Sequence, residues 1–253
     1  MPLVERDGVQ VFYEAAGAGS AVLLSHGYSA TSQMWKGQVD ALKDGYRVIT
    51  WDMRGHGQTD SPEDPALYSE AATIDDMAAI LREEGVTQAV IGGLSLGGYM
   101  SLAFYLKHPE MVRALMLFDT GPGYRNPQAR QGWTDTAETR AKAFEERGLA
   151  AVSGGAEVRV SRHRSAAGLA KAARGMFAQF DARVIESLAD IKAPTLVLVG
   201  AKDQPFLAAT DYMTARIPNA TKVVIEDAGH AANIHQPAAF NQAVTDFLKR
   251  NGL

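Results

Sequence analysis

The pentapeptide Gly93-Leu94-Ser95-Leu96-Gly97 is the most informative stretch of the chain. It follows an apolar run at residues 89–91 that is typical of a buried strand, and it precedes a segment, residues 99–106, with helical composition. A serine between two glycines at a strand-to-helix junction is the pattern of a nucleophile elbow, which projects the hydroxyl into a cleft. Because the pattern is short and also occurs in ordinary capped turns, its interpretation needs independent support.

That support comes from an aspartate and a histidine that follow later apolar runs. A serine hydroxyl is a poor nucleophile at neutral pH, so it needs a general base, and the base needs an orienting group. Asp203 follows the run Thr195–Gly200, and His230 follows the run Lys222–Glu226. Open α/β sheets bind ligands at the carboxyl ends of their strands, which is where both residues are predicted to lie.

Short apolar runs alternate with segments of helical spacing along much of the chain. The runs are typical of parallel strands buried on both faces, and they are residues 21–25, 47–52, 89–94, 114–119, 195–200 and 222–226. The helical segments are residues 72–84, 96–107, 207–216 and 238–249. This order predicts an α/β protein with a mostly parallel, doubly wound sheet. Residues 9–14 alternate more and predict an antiparallel edge hairpin with Val4.

Residues 121–190 interrupt this alternation. Two helical stretches follow one another there, near Gln128–Arg147 and Ser165–Phe180, with no strand predicted between them. Apolar residues recur at intervals of three and four in the second stretch, so it has a face that must cover something. We predict a helical cap at 121–190, inserted into a core made of residues 1–120 and 191–253.

Taken together, these motifs resemble the α/β-hydrolase fold family, and within it the capped serine esterases and enol-lactonases. The resemblance spans nearly the whole chain, through His26-Gly27, the stretch 52–57, the elbow, Asp203 and Gly229-His230. It implies that Ser95 is the nucleophile, that His230 acts as general base and then general acid, and that Asp203 holds the imidazole tautomer.

The resemblance also implies an oxyanion hole and a substrate pocket. The hole would consist of the backbone N–H groups of Tyr28 and Leu96. Candidate pocket residues, identified from position alone, are aromatic or apolar: Tyr28, Trp133, Met176, Phe177 and Phe206.

Two sets of acidic residues have competing interpretations. Asp119 is the main rival of Asp203, because some family members place the acid after the sixth strand, although we expect it to cap a loop or face the cap. The paired acids Asp75-Asp76 and Glu83-Glu84 are predicted to lie on solvated helix faces.

The histidines outside the predicted triad are expected to be structural. His26 is predicted to pack the oxyanion loop, and His56 to hold a tight loop beside the elbow. His163 lies in the basic run Arg159–Arg164, which predicts a solvated surface, with attraction of an acidic substrate as the alternative. His235 is predicted to lie at the surface or behind the site.

The serine at the elbow narrows the reaction. In the family that the chain resembles, dehalogenases and epoxide hydrolases carry aspartate there, so acyl transfer is expected. Carbon–carbon bond hydrolases use serine but commonly carry an aromatic residue where this chain has Ala231. We predict a carboxylesterase or lactonase that forms an acyl-enzyme on a small ester, with a cofactor-free perhydrolase and a carbon–carbon bond hydrolase as alternatives. A small-molecule receptor with vestigial turnover is the alternative from another class.

Composition excludes several other functions. The chain has 253 residues, a net charge of −4 and no cysteine, so disulfides and thiolate metal sites are excluded and no basic surface for nucleic acid is indicated. Dinucleotide, P-loop and H-E-x-x-H zinc motifs are missing from the sequence, which predicts no cofactor and no metal.

Since no signal sequence or apolar span is recognised, we expect a cytoplasmic protein whose partner is a small-molecule substrate, with neither membrane nor nucleic acid. The oligomeric state stays open.

Overall fold

A single eight-stranded sheet organises the computed structural model, which describes residues 2–253. Its strand order is β1-β2-β4-β3-β5-β6-β7-β8. The strands are β1 (Leu3–Arg6), β2 (Val9–Ala16), β3 (Ser20–Ser25), β4 (Tyr46–Trp51), β5 (Ala89–Leu94), β6 (Val112–Phe118), β7 (Thr195–Gly200) and β8 (Ala220–Ile225). Pairing is parallel from β4 across to β8 and antiparallel for β1 with β2 and β2 with β4. The predicted fold class and the edge hairpin at Val4, which pairs with Val11, are confirmed.

Helices cover both faces of the sheet. They are α1 (Lys36–Leu42), α2 (Glu70–Glu83), α3 (Leu96–Lys107), α4 (Pro127–Arg147), α5 (Ala156–Arg159), α6 (Ala166–Ala172), α7 (Arg183–Glu186), α8 (Gln204–Arg216), α9 (Ala232–His235) and α10 (Pro237–Arg250). The predicted helices outside 121–190 match α2, α3, α8 and α10 to within three residues at each end. Among residues 2–253, no helix is long and apolar enough to cross a bilayer.

Strand β5, which leads to the elbow, and strand β7, which leads to Asp203, are buried on both faces. All six residues of β5 and all six of β7 are buried, and two hydrophobic clusters lie on opposite faces of the sheet. Successive residues of a strand point to opposite faces, so such runs are apolar throughout instead of alternating. Because β3 to β8 run parallel, their carboxyl ends lie at one edge of the sheet, and the loops that follow them come together there.

The chain between β6 and β7 is helical, with no strand among residues 119–194 of the described chain. The second predicted stretch is shorter than expected, because α6 passes into a single π turn, Ala173–Phe177, and ends there. At Gly175 the backbone lies against the Tyr68 carbonyl, since a Cβ atom would come within 1.8 Å of that oxygen. Phe180 was predicted to lie on the apolar face of this helix; the prediction is wrong, because the residue follows the turn and is 69% exposed.

The prediction that the paired acids are solvated is wrong for Asp76 and Glu84, whereas Glu83 is exposed and Asp75 is partly exposed. Asp76 is fully buried, and its carboxylate accepts hydrogen bonds from Arg54 Nε at 2.7 Å, Arg54 Nη2 at 2.7 Å and Arg6 Nε at 2.6 Å. Arg54 is itself only 1% exposed. Glu84 is also paired, with a largely buried side chain against Arg47. A helical spacing of acids does not distinguish a solvated face from one that faces an arginine on another element.

Replacing Asp76 with asparagine is expected to destabilise the fold strongly. Among the described carboxylates, the buried Arg54 guanidinium would keep only the longer contact of its Nη2 with Asp7 Oδ2 at 3.4 Å, and breaking a buried ion pair costs about 3–5 kcal/mol. The matched control is Asp75→Asn, since Asp75 makes a half-exposed ion pair with Lys107, and such pairs contribute about 1 kcal/mol or less. Urea unfolding of the two variants measures the difference. Equal losses of unfolding free energy would contradict the assignment of Asp76 as a buried ion-pair partner.

Candidate active site

Ser95 lies at the turn between β5 and α3 in a strained backbone conformation. Its φ is 55° and its ψ is −115°, a combination that costs a residue other than glycine about 1–3 kcal/mol. Three hydrogen bonds hold it there. Ser95 N donates to the Phe118 carbonyl at 2.9 Å, while the Ser95 carbonyl accepts from Tyr99 N at 3.1 Å and from Thr120 Oγ1 at 2.6 Å. The neighbouring end of β6 therefore fixes the turn.

Glycine is required on both sides of this serine. A Cβ atom on Gly97 would lie 2.2 Å from the Ser25 carbonyl oxygen, and one on Gly93 would lie 2.5 Å from the Gly97 backbone. Real Cβ atoms do not approach backbone so closely, so β3, β5 and α3 could not cross at this distance with larger residues. The two glycines of the sequence pattern have a packing reason in the structure.

His230 and Asp203 come together at the carboxyl end of the sheet. Asp203 follows β7 and His230 follows β8, and His230 Nδ1 lies 2.8 Å from Asp203 Oδ2. Asp203 is 5% exposed, and the Phe206 ring stacks on the imidazole with centroids 5.1 Å apart. A carboxylate on Nδ1 fixes the tautomer that leaves Nε2 able to accept a proton.

Ser95 lines the same cavity as His230. Within residues 2–253 no hydrogen bond joins the Ser95 hydroxyl to the His230 ring. Catalytic hydrogen bonds are often long before substrate binds and shorten in the complex. The arrangement is therefore compatible with proton transfer from Ser95 to His230 when a substrate is present.

The loop after β3 and the start of α3 present two backbone N–H groups beside Ser95. Leu96 is the first residue of α3, so its N–H has no partner within the helix. Among the described residues, neither Leu96 N nor Tyr28 N donates to a protein acceptor. Two side-chain contacts position Tyr28. Its hydroxyl donates to the Leu169 carbonyl at 2.8 Å, and its ring stacks on Phe177.

Three histidines fasten the loop that carries Tyr28. His26 Nδ1 donates to the Gly27 carbonyl at 2.7 Å, and its Nε2 accepts from Met53 N at 2.9 Å. His56 Nε2 accepts from Ser29 N at 3.1 Å. Each of these rings uses one nitrogen as donor and the other as acceptor, so each is neutral. His26 and His56 therefore hold loops beside the elbow, as their positions in the sequence predict.

His163 completes this cluster from the segment between β6 and β7. Its Nε2 donates to the Ser29 carbonyl at 2.9 Å, and its Nδ1 accepts from Gly57 N at 3.2 Å. The prediction that the whole run Arg159–Arg164 is a solvated surface is thus wrong for His163, although the arginines of the run are exposed. Burial lowers the pKa of His26 to about 4 and the pKa of His163, and it lowers that of His56 well below its ordinary value.

Asp119, the rival acid, lies beside Asp203 and not beside the histidine. It is fully buried after β6, at a φ of 45°, and its Oδ1 accepts from Gly200 N at 2.8 Å. Its Oδ2 is buried without a partner among residues 2–253. Burial, together with the charge of Asp203, raises the pKa of Asp119 well above the ordinary range. A protonated Asp119 has an O–H group to donate to the Asp203 carboxylate.

Two chambers meet at Ser95. The first encloses about 300 Å³ and is mainly apolar, and the second encloses about 230 Å³. Trp133, Phe177 and Phe206 line both chambers, and Tyr28 lines the second. Met176, also predicted for the pocket, lines neither; it is 2% exposed and packs in the core, because the π turn directs it away from the cavity.

Sequence reasoning missed several residues of these chambers. The missed residues come from loops and helices far apart in the chain: Tyr99, Tyr124, Ile185 and Tyr212 in the first chamber, and Arg140 and Glu157 in the second. Exposed arginines and glutamates are common on helices, so no local signal marks these two as cavity residues.

The fold and the geometry of this site are those of the α/β hydrolases. The family model for the alpha/beta hydrolase fold matches residues 20–167, more than half of the chain. The chain therefore belongs to the α/β-hydrolase fold family.

Individual relatives carry different activities. The chain is 31% identical to 3-oxoadipate enol-lactonase 2 of Acinetobacter baylyi, over 91% of this chain and 89% of the relative. It is 28% identical to a protein of Bacillus subtilis provisionally named 2-succinyl-6-hydroxy-2,4-cyclohexadiene-1-carboxylate synthase, over 96% of each chain. A malate-bound thermophilic esterase from Thermogutta terrifontis superposes with a TM-score of 0.85 and 28% identity, over 99% of this chain and 98% of that one. These relatives support hydrolase activity in general and leave the substrate open.

Substitutions of Asp119 and of Asp203 are expected to lower kcat by different amounts. Asp119→Asn keeps a donor toward Asp203 and an acceptor for the Gly200 N–H, so kcat should fall only mildly. Asp119→Ala removes both and should cost more. Asp203→Asn should lower kcat about 10⁴-fold, because it favours the wrong imidazole tautomer. Steady-state kinetics of the three variants on one ester provides the comparison. A larger loss in Asp119→Asn than in Asp203→Asn would make Asp119 the acid.

The histidine cluster is expected to make stability fall as the solution becomes more acidic. In the unfolded chain a histidine binds a proton below its ordinary pKa of about 6.5, whereas the buried rings resist it, His26 down to about 4. Unfolding free energy is therefore lost as pH falls from about 6.5 to 4, by up to about 3 kcal/mol for a shift of this size.

Urea unfolding at several pH values between 7.5 and 5 tests this expectation. His163→Gln can still donate to Ser29 and accept from Gly57 but does not titrate, so its stability should depend less on pH. The exposed His235→Gln is the matched control and should keep the wild-type slope. Identical slopes in all three proteins would argue against the role of His163.

Proposed function

We propose that this protein is a serine hydrolase that cleaves a small carboxylic ester or lactone through an acyl-enzyme intermediate. The observation that carries the proposal is the convergence of Ser95, on a strained elbow, with a His230–Asp203 pair joined at 2.8 Å in one cavity. Strain of this kind persists only where the surrounding structure imposes it, and it concentrates at functional sites.

The proposed reaction has two halves. Ser95 Oγ attacks the carbonyl carbon while His230 Nε2 takes the hydroxyl proton, and Asp203 stabilises the imidazolium. The N–H groups of Tyr28 and Leu96 bind the oxyanion of the tetrahedral intermediate. The carbon–oxygen bond to the alcohol then breaks, and the alcohol leaves with the proton from His230. Water, deprotonated by His230, attacks the acyl-enzyme in the second half, which releases the acid and restores Ser95.

The chambers support a small substrate enclosed by residues 121–190. Trp133 and Phe177, which come from that segment, line both chambers together with Ser95. We propose that the segment acts as the cap of the site and excludes water from the oxyanion. The names of the enol-lactonase and the esterase among the relatives agree with ester or lactone chemistry. The predicted cytoplasmic location stays a prediction.

Labelling and turnover test this proposal together. We expect a fluorophosphonate probe to label the wild-type protein at Ser95, and short-chain nitrophenyl esters and lactones to be hydrolysed. Ser95→Ala should lose labelling and lower kcat about 10⁶-fold, as in other serine hydrolases. The matched control is Ser153→Ala, since Ser153 lines the second chamber and is exposed.

Two outcomes would contradict the proposal. Retained turnover in Ser95→Ala would remove Ser95 as the nucleophile. No labelling and no turnover of esters, lactones or thioesters by the wild-type protein would favour a ligand receptor built on this fold.

A further inference from the structure

The two chambers on either side of Ser95 are not equivalent for an ester. His230 lines the second chamber and is missing from the described lining of the first. Under the proposed function, His230 must deliver a proton to the oxygen of the departing alcohol. The alcohol portion of the substrate therefore lies toward the second chamber, and the acyl portion lies toward the first. The first chamber is lined by apolar and aromatic side chains, including Tyr99, Ile185 and Tyr212, which suit an alkyl acyl chain.

An exposed arginine that makes no ion pair among the described residues lines the second chamber. Arg140 lies 5.3 Å from the Phe177 ring centroid and 5.9 Å from that of Tyr28, so its guanidinium is held over two aromatic faces. Within residues 2–253, no carboxylate lies within 4.0 Å of it and no side-chain hydrogen bond is made by it. Arg174, one turn from Phe177, shows the contrast, because it pairs with Glu138 and Glu145. The planar donors of Arg140 are thus free for a ligand carboxylate.

A carboxylate of the protein lines the same chamber. Glu157 is 6% exposed, and its Oε2 is buried without a hydrogen-bond partner among the described residues. The carboxylate is pressed against Gly155, where a Cβ atom would come within 2.3 Å of Oε2. A buried acceptor without a donor costs about 1–3 kcal/mol. A ligand hydroxyl can approach the same carboxylate at Oε1, which is not among the buried atoms and accepts no hydrogen bond from the described residues.

Arg140 and Glu157 together define what the chamber can hold. They form no ion pair with each other within 4.0 Å, and both line the second chamber, so each can contact a ligand bound there. A purely cationic alcohol would be repelled by Arg140, and a purely anionic one would be opposed by Glu157. Only a group with both an anion and a hydrogen-bond donor satisfies both side chains.

We propose that the second chamber takes the alcohol portion of an ester derived from a hydroxylated carboxylic acid, with the carboxylate bound by Arg140 and a hydroxyl donated to Glu157. The proposal rests on the proposed ester hydrolysis and names its substrate class: small acyl esters of polyhydroxy acids. Arg140 and Glu157 are then residues that determine specificity, while bond cleavage depends on Ser95 and His230.

Four butyrate esters separate the two contacts. Glycerate 3-butyrate carries a carboxylate and a hydroxyl, and its methyl ester keeps only the hydroxyl. 3-Butyryloxypropanoate keeps only the carboxylate, and propyl butyrate has neither group. We expect wild-type kcat/KM for glycerate 3-butyrate to exceed that for each singly deficient ester by about tenfold or more, as expected for loss of one charge-assisted hydrogen bond.

Two variants connect the preferences to their residues. Arg140→Met keeps an apolar stem over the aromatic rings and should abolish the preference for a carboxylate, with a much larger loss of kcat/KM on the two carboxylate-bearing esters than on propyl butyrate. Glu157→Met should abolish the preference for the hydroxyl only. Arg159→Gln is the control, because Arg159 is exposed on the same segment and lines neither chamber. Circular dichroism and urea unfolding check that each variant is folded.

The possible failures are distinguishable. Comparable wild-type kcat/KM for all four butyrates, or an equal loss on all four in Arg140→Met, would overturn the substrate class and leave ester hydrolysis standing. Absence of turnover on every butyrate, with no fluorophosphonate labelling of Ser95, would overturn both the substrate class and the proposed function.

Discussion

The close crossing of β3, β5 and α3 is the constraint on which the rest of the structure depends. Gly97 approaches the Ser25 carbonyl so closely that only a hydrogen atom fits in place of a side chain. Ser95 must consequently turn through a φ of 55°, and the cost is offset by hydrogen bonds to the end of β6. A relaxed turn would draw the hydroxyl back toward the sheet. The strained turn therefore holds Ser95 where its side chain lines the cavity.

The loops around that oxygen are held by neutral polar groups that are themselves buried. His26, His56 and His163 act as donor and acceptor at once, so they connect the loop that carries Tyr28, the loop after β4 and the segment between β6 and β7 without carrying charge. Arg54, near the start of the loop after β4, is held by Asp76 of α2. Such a network is rigid because every alternative arrangement leaves a buried polar group unpaired. Rigidity here preorganises the two N–H groups of the proposed oxyanion hole.

Polarity divides the cavity at Ser95 into unlike halves. Aromatic and aliphatic side chains dominate the chamber toward Tyr99, whereas Arg140 and Glu157 face the chamber that contains His230. A symmetric apolar cavity would suit any small ester, whereas under the proposed function a charged half next to His230 would discriminate among leaving groups. The family relationship indicates hydrolase chemistry in general terms, and in our proposal the segment between β6 and β7, which carries Arg140 and Glu157, selects the substrate.

By itself, the sequence determined the strands, most helices and the order of Ser95, Asp203 and His230, because buried parallel strands, glycines at a close crossing and polar residues after strand ends are all local patterns. The hydrogen bond of His230 to Asp203 instead of Asp119 was decided only by tertiary structure, since both acids follow neighbouring strands. Tertiary structure also decided that Asp76 is buried, that His163 supports the loop that carries Tyr28, and that Met176 packs in the core while Arg140 lines the cavity. The physical reason is the same in each case: a side chain's burial and charge partners come from elements distant in the chain, and no spacing along the sequence encodes them.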